Sequence, residues 1–254
     1  MLDPKLMRAR RFSRAAATYD EGAAVQAEAA RMLFEMLKER LNGNGSGLRI
    51  LEAGCGTGTL SRMLLSLAPA SLDLLDISEG MLEQCRERLG AANPAIHLAV
   101  ADCERDPLPG GFDLVASSSA MQWFEDLRRG FVNLRTALKP HGLMGIFVFT
   151  EGTFDEIRKV SGDGISYRTA AEVEEIARDL LGDVQACKLE RTTHYEDPLS
   201  MLKSLRGCGV SGTGGRAWTR GRLKAFSQEY ASRFSDKDGV RLSWRGLFVT
   251  GRAP

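Results

Sequence analysis

Paired cysteines are missing from this sequence of 254 residues. The five cysteines are scattered and never spaced as Cys-x-x-Cys, so they favour neither a disulfide framework nor a zinc site. Long apolar runs are also missing, and the basic N-terminus continues into polar, alanine-rich sequence instead of the apolar core of a signal peptide. We therefore expect a protein of the cytoplasm, with no membrane segment and no bound metal.

Net charge is nearly absent as well. The 34 lysines and arginines balance 33 acidic residues, which leaves a formal charge of +1. No overall field attracts nucleic acid, and a partner selected by charge must meet a local patch. With 43% hydrophobic and 26% charged residues, the composition is that of an ordinary globular chain, long enough for one α/β domain with a lid.

Short apolar strands and amphipathic helices alternate through the middle of the chain. Strands are predicted at 48–53, 71–76, 96–100, 112–117 and 143–150, with helices at 60–67, 79–89 and 126–138. This alternation predicts βαβ units and therefore a parallel, doubly wound sheet. Outside it, helices are predicted at about 19–41, 169–181, 197–207 and 219–234, and strands at 184–195 and 243–252.

A glycine-rich segment, Glu52 to Gly58 (EAGCGTG), lies between the first predicted strand and helix. Its glycines let the backbone approach a ligand, and the following helix offers free N–H groups. The leading Glu52 would repel a pyrophosphate but suits a ligand that carries an ammonium and a sulfonium group. The alternative is an ordinary tight turn between a strand and a helix.

Two aspartates follow the next two strands. Asp76 stands where such sheets hold a pair of ribose hydroxyls, although it is alternatively a helix cap, for which Ser78 is better placed. Asp102 follows the third strand and can accept the amino proton of adenine, or alternatively serve only in a turn.

The glycine segment, Asp76 and Asp102 together resemble the successive motifs of class I S-adenosylmethionine methyltransferases. Pro140-His141-Gly142 resembles the usual Pro-Gly-Gly turn of that superfamily, with His141 as a departure. The resemblance implies a Rossmann-like α/β sheet of seven strands, the last antiparallel, and S-adenosylmethionine as cofactor. The cofactor residues expected on this basis are Glu52, Gly54, Gly56, Gly58, Asp76, Ile77, Asp102, Cys103, Ser117 and Gln122.

Nearly the whole chain is similar to the malonyl-[acyl-carrier protein] O-methyltransferases of biotin synthesis. The matching segments are 12–20, 117–126, 149–158, 197–212 and 242–251, of which MQW (121–123) and SLRGCGVSG (204–212) are the most discriminating. The resemblance implies methylation of the free carboxyl of a malonyl thioester. It also predicts one domain in four parts: a helical lid (1–47), a cofactor-binding core (48–196), a helical insertion (197–234) and a last strand (235–254).

A malonyl carboxyl has a reference pKa of about 4, so it is ionised at neutral pH and needs no general base. Holding the oxygen in line with the methyl group and excluding water are then sufficient. We expect Arg206 to bind the carboxylate through its planar fork, the alternative being a solvated surface arginine.

Three further residues are candidates for the reacting centre. Trp123 is expected to wall the pocket, or alternatively only to fill the core, and Gln122 to bond the cofactor or the substrate. Tyr19, followed by Asp20, resembles the Tyr-Asp pair with which the family covers the cofactor; the alternative is an aromatic residue that packs on the sheet. No histidine is assigned to catalysis.

Two basic segments predict an acidic acyl-carrier protein as a transient partner. Neither contains an acid; their cations are Lys5, Arg8, Arg10, Arg11 and Arg14, then Lys203, Arg206, Arg216, Arg220, Arg222 and Lys224. A solvated basic face is the alternative, and aromatics are too few for an RNA-stacking surface.

A monomer is expected. The rival functions are methylation of a small carboxylic acid or a quinone, and non-catalytic binding of S-adenosylmethionine by a regulator.

Overall fold

The computed structural model describes residues 3–90, 93–210 and 218–254. Within these ranges the helices are α1 (Pro4–Ala15), α2 (Tyr19–Gly22), α3 (Ala24–Arg40), α4 (Thr59–Leu65), α5 (Glu79–Leu89), α6 (Leu127–Ala137), α7 (Asp155–Ser161), α8 (Ala170–Leu180), α9 (Pro198–Gly207) and α10 (Arg220–Phe234). The strands are β1 (Arg49–Ala53), β2 (Ser71–Asp76), β3 (Ile96–Val100), β4 (Phe112–Ser118), β5 (Leu138–Phe149), β6 (Gly182–Tyr195), β7 (Ser235–Asp236) and β8 (Gly239–Arg252).

One sheet organises the molecule, with the strand order β3-β2-β1-β4-β5-β8-β6. Strands β1 to β5 are parallel, whereas β8 runs antiparallel between β5 and β6. The expected doubly wound sheet of seven strands is confirmed, and the two-residue β7 adds a short pairing with β8. Since the chain order reverses between β1 and β4, their carboxyl ends open a crevice.

Helices cover both faces of the sheet because successive residues of a strand point to opposite sides. On β1, Ile50 packs into the cluster that contains α3, α4 and α10, whereas Leu51 packs into the cluster of α6 and α8. Both side chains are fully buried. Within the described residues, no helix is both long and apolar enough to cross a membrane.

The N-terminal region differs from the prediction. Asp3-Pro4 reads as a loop, but the Asp3 side chain accepts the Lys5 N–H and Pro4 takes the first helical position, so α1 begins there. The predicted helix over 19–41 is in fact two helices, α2 and α3, interrupted at Ala23.

Two further elements depart from the prediction. The expected turn at Pro140–Gly142 lies inside β5, where the register with β4 shifts and His141 adopts a φ of 61°. Helix α7 lies in a segment where the sequence predicted no helix.

Candidate active site

A cavity of about 420 Å³ lies at the carboxyl ends of the parallel strands and beneath the N-terminal helices. We call it the main cavity. From the sheet it is bounded by Glu52, 54–57, Asp76, Ile77, 101–103 and 118–120, and from the N-terminal helices by Lys5, Arg8, Phe12, Tyr19 and Gln26, among others. Most of the predicted cofactor residues therefore meet around one space.

The glycine segment turns sharply from β1 into α4. Gly54 has a φ of 72°, and a Cβ there would lie 2.2 Å from the Cβ of Ala120. Gly56 has a φ of 55° and nothing within 4 Å of the place of its Cβ. The first position therefore needs glycine for packing, and the second leaves bare backbone facing the main cavity. Gly58 caps α4 and is not part of the cavity lining.

Glu52 is a buried carboxyl at the floor of the main cavity, with 1% of its surface exposed. The Ser61 hydroxyl donates a hydrogen bond of 2.6 Å to its Oε2. Burial raises the pKa of Glu52 well above its ordinary value, and the bond from Ser61 only partly opposes this. A cation entering the cavity would favour the ionised form.

Asp76 joins the glycine segment to the start of α5. Its Oδ2 accepts the Gly56 N–H at 2.9 Å, and its Oδ1 accepts the Ser78 N–H at 2.8 Å. Burial raises the pKa of Asp76, and these backbone bonds oppose the shift. Each carboxylate oxygen retains acceptor capacity for a ligand hydroxyl. Ser78 caps α5 through the Met81 N–H, as predicted.

Asp102 is already paired in this structure. The Lys5 ammonium lies 2.7 Å from both oxygens of Asp102 and 2.6 Å from Glu104. Lys5 was predicted in a docking segment, but it is 4% exposed and faces the main cavity. Cys103, beside Asp102, is buried in the lining, and burial raises its pKa to about 12.

A second, smaller cavity of about 10 Å³ adjoins the main one. It shares with the main cavity the residues Phe12, Tyr19, Gln26, Ser119 and Trp123. Its other lining residues are Gln122, Phe149, Phe154, Tyr167, Val210 and Trp244. We call it the aromatic cavity, because seven of these eleven side chains are aromatic.

Two candidates for the reacting centre, Tyr19 and Trp123, lie between the two cavities, since each lines both. The Phe12 and Trp123 rings meet edge to face at 5.7 Å, and the Arg8 guanidinium lies 5.1 Å from the Trp123 ring. Burial raises the pKa of Tyr19, so its hydroxyl remains protonated. Gln122 donates to the Ser119 carbonyl at 2.6 Å and belongs to the aromatic cavity.

Besides Gly58, two predicted site residues lie outside both cavities. Ser117 is buried, and its hydroxyl donates to the Ala53 carbonyl at 2.7 Å, so it ties β4 to β1 and lines neither cavity. The next residues, Ser118 and Ser119, face the main cavity instead. Arg206 is exposed on α9 and lines neither cavity, so the structure does not bring it to the reacting centre.

Several lining residues were missed by the sequence interpretation. Lys5, Arg8 and Phe12 are spaced by three and four residues, which places them on one face of α1. The helix start at Asp3-Pro4 was the signal that would have revealed this face. Gln26 had a weaker signal, a single amide among the apolar residues of α3.

The described part of the chain offers one group that could share a metal ion, namely His194, Asp236 and Asp238. All three are exposed, and they lie outside both cavities.

Comparisons with known proteins agree on one type of domain. Residues 50–142 match the family profile described as a methyltransferase domain. The chain is 34% identical over 257 residues to the malonyl-[acyl-carrier protein] O-methyltransferase of Chlorobium phaeovibrioides, covering 98% of this chain and 96% of that relative. It is also 34% identical to the protein of the same name from Bacteroides fragilis, covering 98% of this chain; it spans only 50% of that relative's length.

A solved structure shows the same fold. Phosphoethanolamine N-methyltransferase 2 of Haemonchus contortus, in complex with S-adenosyl-L-methionine, matches with a TM-score of 0.57 at 20% identity. The match covers 88% of this chain and 53% of that one.

Proposed function

Because this chain belongs to the family of malonyl-[acyl-carrier protein] O-methyltransferases, we propose that it methylates the free carboxyl of a malonyl thioester. It is an S-adenosylmethionine-dependent O-methyltransferase, and its product is the malonyl methyl ester, an early intermediate of biotin (pimeloyl) synthesis. The observation that carries the proposal is a cofactor-sized cavity that shares five lining residues with a small aromatic one. We also propose a cytoplasmic location, which suits five free cysteines.

S-adenosylmethionine fits the main cavity. Its volume of about 420 Å³ lies in the range of cofactor sites, and Gly56 leaves space where any side chain would intrude. We propose that Asp76 accepts the ribose hydroxyls, Asp102 and Cys103 meet the adenine, Ile77 packs on it, and Glu52 faces the cationic part. When bound, the cofactor supplies an electrophilic methyl group.

The protein's own contribution is to bind, orient and exclude water. The malonyl carboxylate is already ionised, so no side chain needs to remove a proton. Tyr19 and Trp123 stand where the two cavities meet, and we propose that they wall the reacting atoms off from solvent. In the proposed division of the chain, residues 1–47 and 197–234 form the cover, 48–196 the core and 235–254 the last strand.

We propose that the acidic carrier binds a basic face formed by α1 and α9. Met7, Arg10, Arg11 and Arg14 share one exposed side of α1, and Leu199, Lys203 and Arg206 are exposed at helical spacing on α9. Each row thus combines an apolar contact with cations, which suits an acidic helical partner. Just after the end of α1, the Thr18 hydroxyl donates to the carbonyl of Gly207, the last residue of α9, at 3.4 Å.

The second predicted basic segment contributes less to this face than expected. Arg222 pairs with Asp163 and stacks on Trp218, so its charge is engaged within the protein. Arg220 and Lys224 are exposed on α10, whereas Arg216 lies outside the described residues.

The proposed function is tested by turnover of the purified chain, which we expect to act as a monomer. Malonyl-carrier protein, malonyl-coenzyme A, and free malonate with a quinone panel are each incubated with labelled cofactor. Products are then identified by mass. A gain of one methyl on the malonyl carboxyl supports the proposal. Methylation only of small molecules, or cofactor binding without any product, contradicts it.

A further inference from the structure

The aromatic cavity contains buried polar atoms that have no partner among the described residues. Three such atoms belong to its lining: Gln26 Oε1, Ser119 Oγ and Gln122 Oε1. A buried polar atom without a partner costs about 1–3 kcal/mol, so a cluster of them calls for an explanation. A ligand that supplies the missing hydrogen bonds provides one.

Among these buried polar atoms without a partner, that of Gln26 is the strongest case, because the residue is only 8% exposed. Its Nε2 reaches only the Cys208 thiol, at 4.0 Å, and its Oε1 has no recorded partner. The two ends of an amide exchange by a half-turn of the side chain, so either an N–H or an oxygen can be presented to a ligand. The amide therefore faces the cavity with unused hydrogen-bonding capacity.

Tyr167 brings a second donor to the same place. No hydrogen bond is recorded for its hydroxyl within the described ranges, and its ring lies edge to face with Phe154. Burial raises the pKa of Tyr167, and the Cys208 thiol beside Gln26 adds to the shift. The hydroxyl is therefore a neutral donor at any pH at which the protein works.

The backbone of the cavity is strained at two points. Ser119 and Phe154 adopt φ values of 58° and 60°, a left-handed conformation that non-glycine residues rarely take. Such strain tends to gather at binding sites, where it places a side chain that relaxed backbone would turn away. Ser119, one of the two residues with this strained backbone, lines both cavities and carries a hydroxyl.

We propose that the aromatic cavity is the subsite for the malonyl carboxyl group, and that Gln26, Ser119 and Tyr167 hold this group through neutral hydrogen bonds. This inference rests on the proposed function and assigns its acceptor site. The cavity has room for about one water-sized group, so only the end of an acyl chain enters it. No lysine or arginine occurs among its described lining residues.

Neutral donors suit the reaction better than an arginine. A guanidinium fork would stabilise the carboxylate charge in the ground state, and that stabilisation is lost when the charge disappears on methylation. Hydrogen bonds from an amide and two hydroxyls orient the oxygen with less of this penalty. The charge of the carboxylate would then be balanced by the positive sulfonium of the cofactor, which carries the methyl carbon that the carboxylate oxygen attacks and leaves as a neutral thioether.

The test uses malonyl-coenzyme A, which limits effects of carrier docking. Tyr167→Phe and Gln26→Met each remove hydrogen-bonding groups while keeping the shape of the side chain. We expect each to lower kcat/KM by about 10-fold or more, because a hydrogen bond to a charged group is lost. Affinity for S-adenosylhomocysteine should stay within about 2-fold. Tyr195→Phe and Gln228→Met, outside both cavities, are the matched controls and should retain full activity.

Ser119→Gly is a third variant, chosen because a loss of activity in it would not be explained by misfolding. Glycine removes the hydroxyl but relieves the left-handed backbone, so this variant should be at least as stable as the parent. Asn42→Gly makes the same backbone change far from the cavities, at a φ of 52°. We expect a loss of activity in the first variant and none in the second.

The outcomes separate the inference from the function on which it rests. If the parent protein does not methylate any malonyl thioester, the proposed function fails. If it does, and Tyr167→Phe, Gln26→Met and Ser119→Gly match their controls, the subsite is wrong. The same assay on malonyl-coenzyme A includes Arg206→Ala. If Arg206→Ala is inactive on malonyl-coenzyme A, the arginine is the carboxylate ligand, and the proposal that neutral hydrogen-bond donors hold the carboxylate is wrong.

Discussion

At the scale of single residues, Asp76 connects two segments that bound the main cavity. One of its oxygens fixes the glycine segment through Gly56, and the other fixes the entry to α5 through Ser78. The carboxylate therefore shapes the cavity and also lines it. Because burial already disfavours its charge, the backbone N–H groups are needed to keep it an acceptor.

We predict that Asp76→Ala lowers the affinity for S-adenosylhomocysteine by about 5- to 150-fold, the equivalent of roughly 1–3 kcal/mol for lost acceptors in a buried site. Titration calorimetry measures this directly. Asp73→Ala, on the same strand but outside the cavity lining, is the control and should bind normally. Equal affinities in the two variants would remove Asp76 from the cofactor site.

The sequence was sufficient for residues that follow strands and insufficient for those on helices. Glu52, Asp76 and Asp102 come together because parallel strands end at one edge of the sheet. Ser117 was misplaced because alternation along β4 turns neighbouring residues to opposite sides, and one residue of register decides which hydroxyl meets the ligand. Arg206 was misplaced because the sequence alone did not show which side of α9 faces the core.

At the scale of elements, α1 is held against the sheet by one buried cation. Lys5 bridges Asp102 and Glu104, and Glu104 also accepts the backbone N–H groups of Glu125 and Asp126. The network links α1 to the loop after β3 and to the turn before α6. In the proposed cofactor site, binding of adenine at Asp102 would therefore be coupled to docking of α1.

We predict that Lys5→Met loosens α1, because two buried carboxylates lose their counter-charge; removing one partner of such a pair costs roughly 3–5 kcal/mol. Amide hydrogen exchange across residues 4–15 should accelerate in the variant. Lys38→Met is the control, since its pair with Glu35 is exposed and contributes at most about 1 kcal/mol. Unchanged exchange in Lys5→Met would mean that the other contacts of α1, among them the hydrogen bonds of Arg8 and Ser13, hold the helix without this ion pair.

The sequence predicted a basic N-terminal segment but missed the helix that divides it. Once α1 forms, Lys5 and Arg8 turn inward to the main cavity, while Arg10, Arg11 and Arg14 remain outside. The cations of this one segment therefore divide into two groups, one that lines the main cavity and one that is exposed on the surface. The period of the helix decides to which group each residue belongs.

At the scale of the whole molecule, a nearly neutral chain presents a local basic face. We predict that Arg10→Glu with Arg14→Glu lowers kcat/KM for malonyl-carrier protein by about 10-fold or more, mainly through slower association. Added salt should reduce the activity of the parent protein in the same way. Malonyl-coenzyme A should be affected much less, because it carries a few phosphates rather than a whole acidic domain.

The control for this prediction reverses two cations elsewhere, Lys188→Glu with Lys237→Glu. Both are exposed, outside α1 and α9, so the change in net charge is identical. If both double variants slow the carrier substrate equally, net charge explains the effect and the basic face does not.

The architecture was the most predictable property of the chain. Four of the five parallel strands, β1, β2, β4 and β5, are largely buried and are recognisable as short apolar runs, since each is covered on both faces, whereas β3 is a half-exposed edge strand. The terminal hairpin is harder, because β6 is an edge strand with many exposed residues and its pattern is weak. The start of β5 was missed because its pairing depends on a bulge at His141, a tertiary feature with no local signature.

The cysteines offer a practical route to watching this protein at work. Cys187 is exposed on β6, whereas Cys55, Cys85, Cys103 and Cys208 are buried. A maleimide dye will therefore attach mainly at one position, remote from both cavities, without any engineered cysteine. Cys208 ends α9 and is buried beside Gln26. The rate at which Cys208 is alkylated, measured by peptide mass, would report how often the proposed cover opens.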